Sequence, residues 1–139
     1  KYYKLTTLKI NMVNPDIWGP HAWKFLHAVA QGFPDEPTDT DREHYSTLFM
    51  SLRYTLPCPK CREHLSKYTE SNPLNVDNRE ELEKWVIDMH NAVNTRLGQH
   101  VLSYTEAARI MNTVSPTLLS NLLNLIYILL IAYLSQYLF

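Results

Sequence analysis

The chain has 139 residues, a length that fits a single domain. Its formal net charge is −1, so it has no excess of positive charge. This charge balance gives no electrostatic indication of nucleic-acid binding. With only two cysteines, the sequence also excludes a four-thiolate zinc site and a framework of structural disulfides.

The first half of the chain carries the patterns of two helices. Apolar residues at helical spacing predict a first helix that has Pro20 in its first turn and ends near Gly32. Thr40 and Glu43 form a capping-box pattern for a second helix, which ends at Pro57.

The second half predicts three more helices. The Cys-x-x-Cys sequence at Cys58 and Cys61 opens a third helix, which runs to about Tyr68. A fourth helix begins at the capping pair of Asn78 and Glu81, has Gly98 as its C-cap, and is followed by a short fifth helix over 105–111. Because no segment alternates with a period of two, we predict an all-α helical bundle.

The charge pattern divides the chain into three parts. We treat 1–13 as an N-terminal extension without a secretory signal, 14–114 as the functional domain, and 115–139 as an apolar tail. No charged residue follows Arg109, and the uncharged run is long enough to cross a bilayer as a helix, so we predict a membrane anchor. The alternative is an amphipathic helix that is buried in a dimer or against the domain.

The two cysteines are the first candidates for chemistry. Free backbone N–H groups at a helix start favour a thiolate at Cys58, and Lys60 and Arg62 add positive charge nearby. The pair is then a redox-active dithiol. Two alternatives remain open: two inert buried thiols, or a zinc site that Cys61 shares with His64 and His90.

Polar groups on the fourth helix are the second candidate. His90 and Asn94 share one helix face, Asn91 lies beside them, and Trp85 adds a flat apolar surface. Buried polar groups need partners, so this patch is suited to a ligand rich in donors and acceptors; the alternative is a solvated helix face. On the first helix, Trp23 and His27 lie one turn apart on the same face. The alternative interpretation is that both are ordinary core residues.

Together these segments resemble the Erv/ALR family of flavin-linked sulfhydryl oxidases, most closely the compact versions of large cytoplasmic DNA viruses. The resemblance covers roughly residues 14–110. The matching blocks are Trp18-Gly19-x-x-x-Trp23-x-x-Leu26-His27-x-x-Ala30, Phe33-Pro34-Asp35, Pro57-Cys58-x-x-Cys61, Trp85, and His90-Asn91-x-Val93-Asn94-x-x-Leu97-Gly98.

The resemblance implies a four-helix bundle with a short fifth helix that binds FAD non-covalently, usually as a homodimer. It also implies that Cys61 lies beside the flavin ring and that Cys58 exchanges with substrate. No metal ligand is assigned. The implied cofactor-binding residues are Gly19, Trp23, His27, Trp85, His90, Asn91, Asn94, Arg96, Leu97 and Tyr104.

Three features depart from the family pattern. Pro20 stands where the common motif has Arg, which removes one expected cofactor contact, and Phe33 replaces a frequent Tyr. There is no second Cys pair to shuttle electrons, so the chain takes them directly from a partner dithiol.

The resemblance therefore implies an enzyme that oxidises protein thiols to disulfides and reduces O2 to hydrogen peroxide. The expected substrate is a thioredoxin-like carrier, and the expected location is a membrane in the host cytoplasm or the virion. Two other classes stay open, a flavin-free dithiol–disulfide exchange protein and a zinc-stabilised helical interaction module.

Overall fold

A computed structural model describes residues 13–112 and 123–128, where the chain forms helices and loops without a strand. The chain divides into two units, Lys1–Ala107 and Ala108–Phe139, which are described separately. The main helices are α1 (Pro15–Gln31), α2 (Asp39–Thr55), α3 (Pro59–Ser71), α4 (Arg79–Arg96) and α5 (Tyr104–Asn112).

The first unit is a four-helix bundle. Helix α1 packs on α4 and α2 packs on α3. One hydrophobic core joins the two pairs, because all four helices contribute to it. Its buried residues are Leu26, Ala30, Phe33, Phe49, Leu65, Leu82, Trp85, Val86 and Met89. The predicted all-α bundle with a short fifth helix is confirmed.

Helix α1 begins five residues earlier than predicted. The Asn14 side chain accepts a hydrogen bond from the Asp16 N–H at 3.0 Å, and Pro15 occupies the first turn. Pro20 lies inside the helix, so its predicted first-turn position is wrong. Helix α1 tolerates Pro20 because the only carbonyl that loses its partner belongs to exposed Asp16, where water is available.

The capping box of α2 is also displaced. The Thr38 hydroxyl accepts from the Asp41 N–H at 3.2 Å, and the Asp41 carboxylate accepts from the Thr38 N–H at 2.9 Å. The prediction of Thr40 and Glu43 as the cap is therefore wrong by two residues. Sequence alone does not separate the two overlapping pairs, since both place an acid three residues after a threonine.

Helix α4 ends as its glycine predicts. Gly98 has a φ of +66°, and the Gln99 N–H donates to the Asn94 carbonyl at 2.8 Å. The Gly98 N–H donates to the Thr95 carbonyl at 3.1 Å, which completes a Schellman motif. At the other end of α4, Asn78 is the N-cap as predicted, and its side chain accepts from the Glu81 N–H at 3.0 Å.

Two arginines tie the loops at one end of the bundle. Arg42 on α2 donates to the carbonyls of Val76 and Asp77, which precede α4. Arg79 at the start of α4 donates to the Phe33 carbonyl at 2.7 Å. These bonds bring the starts of α2 and α4 and the end of α1 together.

The second unit is described only at its start and over residues 123–128, which are helical. The predicted extension over 1–13 lies outside the described residues except for Val13, and most of the predicted apolar tail lies outside them as well. Within the described ranges, no helix is both long enough and apolar enough to cross a membrane.

Candidate active site

The two cysteines form a disulfide at the start of α3, with their Cα atoms 5.1 Å apart. Cys58 is the N-cap residue in extended conformation, and Pro59 occupies the first helical position. The Cys58 sulfur accepts a hydrogen bond from the Cys61 N–H at 3.2 Å. Both sulfurs therefore lie at the positive end of the helix, where a thiolate released by exchange is stabilised.

The two sulfurs differ in exposure. Cys58 is 7% exposed, whereas Cys61 is half-buried. In this disulfide form neither sulfur is free to bind a metal. No three metal-ligating side chains converge anywhere in the described ranges, so Cys61, His64 and His90 do not form the alternative zinc site.

The pairing of α1 with α4 builds an aromatic and imidazole cluster from Trp23, His27 and His90. The rings of Trp23 and His90 are stacked, with centroids 4.0 Å apart and an interplanar angle of 11°. His27 is buried, and its Nε2 lies 3.1 Å from His90 Nδ1. The sequence predicts Trp23 and His27 on one helix and His90 on another, and the packing of α1 on α4 brings the three rings together.

Both imidazoles are neutral at pH 7. Burial lowers the pKa of His90 to about 4, with a smaller contribution from the charge of His27. Burial also lowers the pKa of His27. A neutral pair forms the hydrogen bond naturally, because one ring nitrogen donates and the facing nitrogen accepts.

Asn94 follows His90 by one helical turn and is 6% exposed. Among the described residues, its side chain has no hydrogen-bond partner, although its backbone carbonyl accepts the cap from Gln99. The Asn94 amide atoms are not among the fully buried polar atoms that lack a partner, so the amide borders solvent. Asn94 therefore marks a position where a ligand with donors and acceptors fits.

Asn91 is already fully engaged. Its amide nitrogen donates to the Leu102 carbonyl at 2.8 Å, and its amide oxygen accepts from the Leu102 N–H at 2.9 Å. These two bonds hold the segment between α4 and α5. Its implied contact with the cofactor stays a prediction, and in this structure the side chain positions a loop.

Trp85 lies in the core rather than on an open face. Its indole N–H donates to the Asn72 carbonyl at 3.1 Å, and its ring meets Phe49 and Tyr68 edge-on. Phe33 is likewise fully buried, against Tyr45. Phe33, which stands where the family often has Tyr, therefore serves core packing and needs no hydroxyl group.

The remaining implied cofactor residues lie at the edges of the bundle. Arg96 and Leu97 are exposed at the end of α4, and Gly19 is half-buried on α1. Tyr104 is 49% exposed, and its hydroxyl donates to the Asp88 carboxylate at 2.9 Å. That hydrogen bond raises the pKa of Tyr104. Asp88 was not predicted, since nothing local links residues sixteen positions apart.

Comparison with known proteins identifies the family. The model of the Erv1/Alr family matches residues 20–112, which include both cysteines, the Trp23–His90 stack and Asn94. The chain belongs to the Erv1/Alr family. The family predicted from the sequence motifs is confirmed.

Named Erv1/Alr relatives include viral proteins. A probable FAD-linked sulfhydryl oxidase of Acanthamoeba polyphaga mimivirus is 45% identical over 109 residues, which cover 75% of this chain and 76% of the relative. The FAD-linked sulfhydryl oxidase of an African swine fever virus isolate is 35% identical over 89 residues, covering 64% and 75%.

Among solved structures, the FAD binding domain of Erv1 from Saccharomyces cerevisiae superposes with a TM-score of 0.64 at 30% sequence identity. The match covers 66% of this chain and 87% of the yeast domain. This chain and the yeast domain therefore share a fold.

Proposed function

We propose that this chain is an FAD-linked sulfhydryl oxidase that forms disulfides in protein substrates. One observation carries the proposal: a Cys-x-x-Cys disulfide and a buried Trp, His and Asn cluster occur in one Erv1/Alr bundle. The names of the viral relatives support the same activity and the same cofactor.

The thiol chemistry requires only the Cys58–Cys61 disulfide and a partner dithiol. A substrate thiolate attacks the Cys58 sulfur, the Cys58–Cys61 bond breaks, and the Cys61 sulfur leaves as a thiolate at the helix start. The second substrate thiolate then attacks the mixed disulfide and releases Cys58. The substrate loses two electrons and two protons and becomes a disulfide, while the enzyme pair becomes a dithiol.

The residues present fit FAD. Asn94 offers an unpaired amide, and the Trp23 and His90 rings offer flat surfaces of the kind that hold a purine or flavin ring. Trp23, His27, His90 and Asn94 would hold the cofactor, with Gly19, Arg96, Leu97 and Tyr104 at the periphery. FAD at this site would supply the redox chemistry that transfers two electrons and two protons from the reduced cysteines to O2, giving hydrogen peroxide.

The chain contains no further cysteines for an internal relay, so the partner dithiol reacts at Cys58 directly. A small thioredoxin-like carrier suits this requirement, because such a protein presents its own cysteine pair at the surface. Cys58 is 7% exposed, so its sulfur must become more accessible before a substrate thiol can attack it.

A homodimer is part of the proposal. Helix α1 leaves Ile17 and Phe25, which are about two turns apart, exposed at 68% and 59%. Burial of such a stripe against a second copy removes apolar surface from water.

Membrane attachment through the tail is a further part, and it rests on the sequence of 115–139. The described helical residues 123–128 support it, since Leu123, Leu125 and Ile126 are all exposed. The viral relatives support a location in host cytoplasm or virion.

Removal of residues after Val114 should release the protein from membranes and leave flavin content and activity unchanged. A truncated protein that misfolds or loses its dimer would assign the tail to the fold.

Oxygen uptake tests the activity itself. The flavin-loaded protein should consume O2 when dithiothreitol is added and should produce hydrogen peroxide in equal amount. Cys58→Ser and Cys61→Ser should abolish both signals, while Ser71→Ala, an exposed control at the end of α3, should retain them. Thiol exchange without oxygen uptake in a flavin-loaded sample would contradict the proposal.

A further inference from the structure

Positive charge is concentrated around the disulfide. Residues 53–67 contain Arg53, Lys60, Arg62 and Lys67 against a single carboxylate, Glu63, so the segment has a net charge of +3. The whole chain has a net charge of −1. This segment includes the end of α2, both cysteines and most of α3, and we call it the basic segment.

Most of these charges lack a partner of opposite sign. Lys67 pairs with Glu63 at 2.8 Å. Within the described ranges, Arg53, Lys60 and Arg62 form no salt bridge with any carboxylate, and Arg62 donates instead to the Leu56 carbonyl. Three cations of the basic segment therefore have no carboxylate within salt-bridge distance among the described residues.

Unsatisfied nitrogens occur in the same place. The buried side-chain nitrogen and oxygen atoms that lack a hydrogen-bond partner in the described chain are Arg53 Nε and His64 Nδ1, and both belong to the basic segment. The Arg53 guanidinium lies over the Tyr54 ring at 5.4 Å, and among the described residues its only hydrogen-bond acceptor is the Tyr54 hydroxyl at 3.3 Å. A cation held this way is short of anionic acceptors.

The other end of the bundle has the opposite charge. The first turns of α2 and α4 contain Asp39, Asp41, Glu80 and Glu81. The loop contacts of Arg42 and Arg79 bring these two helix starts together, and α2 runs from there to the disulfide. The bundle is thus acidic at one end and basic at the end that exchanges thiols.

We infer that the basic segment selects a partner whose dithiol is flanked by acidic side chains. The inference rests on the proposed thiol oxidase function and names its substrate class, an acidic polypeptide segment around a cysteine pair. Opposite charges within about 8 Å remain effective at physiological salt, and they act mainly on the rate of productive encounter. A partner carboxylate also supplies the opposite charge that Arg53, Lys60 and Arg62 lack among the described residues.

Three dithiols test this inference with the flavin-loaded, full-length protein. Two are synthetic peptides with one Cys-x-x-Cys centre, flanked by glutamates in one and by lysines in the other; the third is dithiothreitol, which is uncharged. At low salt, kcat/KM for the acidic peptide should exceed that for the basic peptide by about tenfold or more. The ratio should fall toward one as salt is raised, while the rate with dithiothreitol should change little.

Charge reversal at one lysine localises the effect. Lys60→Glu should lower the acidic-to-basic ratio severalfold, and the ratio cancels any change that the substitution makes in the reactivity of Cys58. Lys24→Glu, an exposed lysine on α1, makes the same change in net charge and should preserve the ratio. Arg53→Gln should act in the same direction as Lys60→Glu.

Equal rates for the two peptides, a preference for the basic peptide, or equal effects of Lys60→Glu and Lys24→Glu would each overturn the inference. Normal oxidation of dithiothreitol in those cases would leave the proposed function standing. Absence of oxidation with all three dithiols would instead reject the proposed function, and the inference with it.

Discussion

Cys58 and Cys61 occupy different environments although one bond joins them. Cys58 caps α3 and is nearly buried, whereas Cys61 lies in the first turn and is half-buried. The Cys58 sulfur accepts a hydrogen bond from the Cys61 N–H. The implied roles, in which Cys61 lies beside the flavin and Cys58 exchanges with substrate, stay a prediction.

Single serine substitutions should separate those roles. With FAD bound, Cys58→Ser leaves Cys61 as an unpaired thiolate, so a long-wavelength charge-transfer absorption band should appear. Cys61→Ser should lack the band and should trap a mixed disulfide between Cys58 and a partner, visible on a non-reducing gel. The band in Cys61→Ser and its absence in Cys58→Ser would reverse the assignment.

Asn94 is a buried residue whose side-chain amide has no hydrogen-bond partner among the described residues. Asn94→Leu removes the unpaired amide, so FAD affinity should fall by about 1–3 kcal/mol, or roughly fivefold to 150-fold. Far-ultraviolet circular dichroism of the apoprotein should be unchanged. Thr47→Leu, an exposed change on α2, is the control and should bind FAD normally. Unchanged FAD affinity in Asn94→Leu would remove this residue from the site.

The His27–His90 pair makes stability depend on pH. The pKa of His90 is lowered in the folded protein to about 4 from the ordinary 6.5, so the unfolded chain binds more protons between these values. The free energy of unfolding of the apoprotein should therefore be fully retained above about pH 6.5 and decrease as the pH falls toward 4.

Urea unfolding at a series of pH values measures this dependence. His90→Gln keeps a polar side chain that does not titrate, so its loss of stability between pH 6.5 and 4 should be shallower than that of the wild type. Parallel curves for the two proteins would show that the imidazole pair does not cause the acid sensitivity.

At the scale of elements, the end of α4 determines the path of the chain toward α5. Gly98 makes the left-handed turn, and Asn91 then binds Leu102 through both ends of its amide. The loop is thereby fixed against the same helix that carries His90 and Asn94. Strain at Gly98 should consequently affect the whole bundle.

Two glycine substitutions provide a matched test of that turn. Gly98→Ala meets no steric obstacle but forces a positive φ, so it should destabilise the apoprotein by about 1–2 kcal/mol. Gly19→Ala lies inside α1 with open space around the new methyl, so it should stabilise by roughly 0.5–1 kcal/mol. Chemical denaturation measures both changes; a neutral Gly98→Ala would contradict the cap described above.

The same elements show what sequence can and cannot predict. Apolar spacing and local stops predict all five helices, because the residues that decide them are neighbours in the chain. The predicted starts of α1 and α2 were wrong because each segment offers two start signals close together. These are Pro15 and Pro20 for α1, and Thr38 and Thr40 for α2. At the observed start of α2, Arg42 contacts the loop before α4, and a contact between such distant residues is not visible in the local sequence.

The site follows the same rule. Spacing within α4 predicts that His90 and Asn94 share a helix face. In the structure Asn94 is buried and His90 is half-buried. The stack of Trp23 on His90 depends on how α1 packs against α4, which no local pattern encodes. The engagement of Asn91 with Leu102 is likewise a tertiary contact, so it was not predicted.

At the scale of the whole molecule, the chemistry depends on both helix pairs. The α2–α3 hairpin carries the cysteines, whereas α1 and α4 carry the Trp, His and Asn cluster. Only the assembled core brings the two halves into one bundle. A ligand that binds this bundle and not the unfolded chain stabilises the fold by about 2.7 kcal/mol at a hundred times its Kd.

The visible absorption spectrum during an anaerobic dithiol titration tests the central claim most directly. The purified protein should be yellow with bound FAD, and dithiothreitol should bleach the flavin band until oxygen restores it. Cys58→Ser and Cys61→Ser should bind FAD but resist bleaching, because the electrons enter through the disulfide. A folded, reconstituted protein without flavin, or one whose flavin bleaches equally in both cysteine variants, would contradict the account.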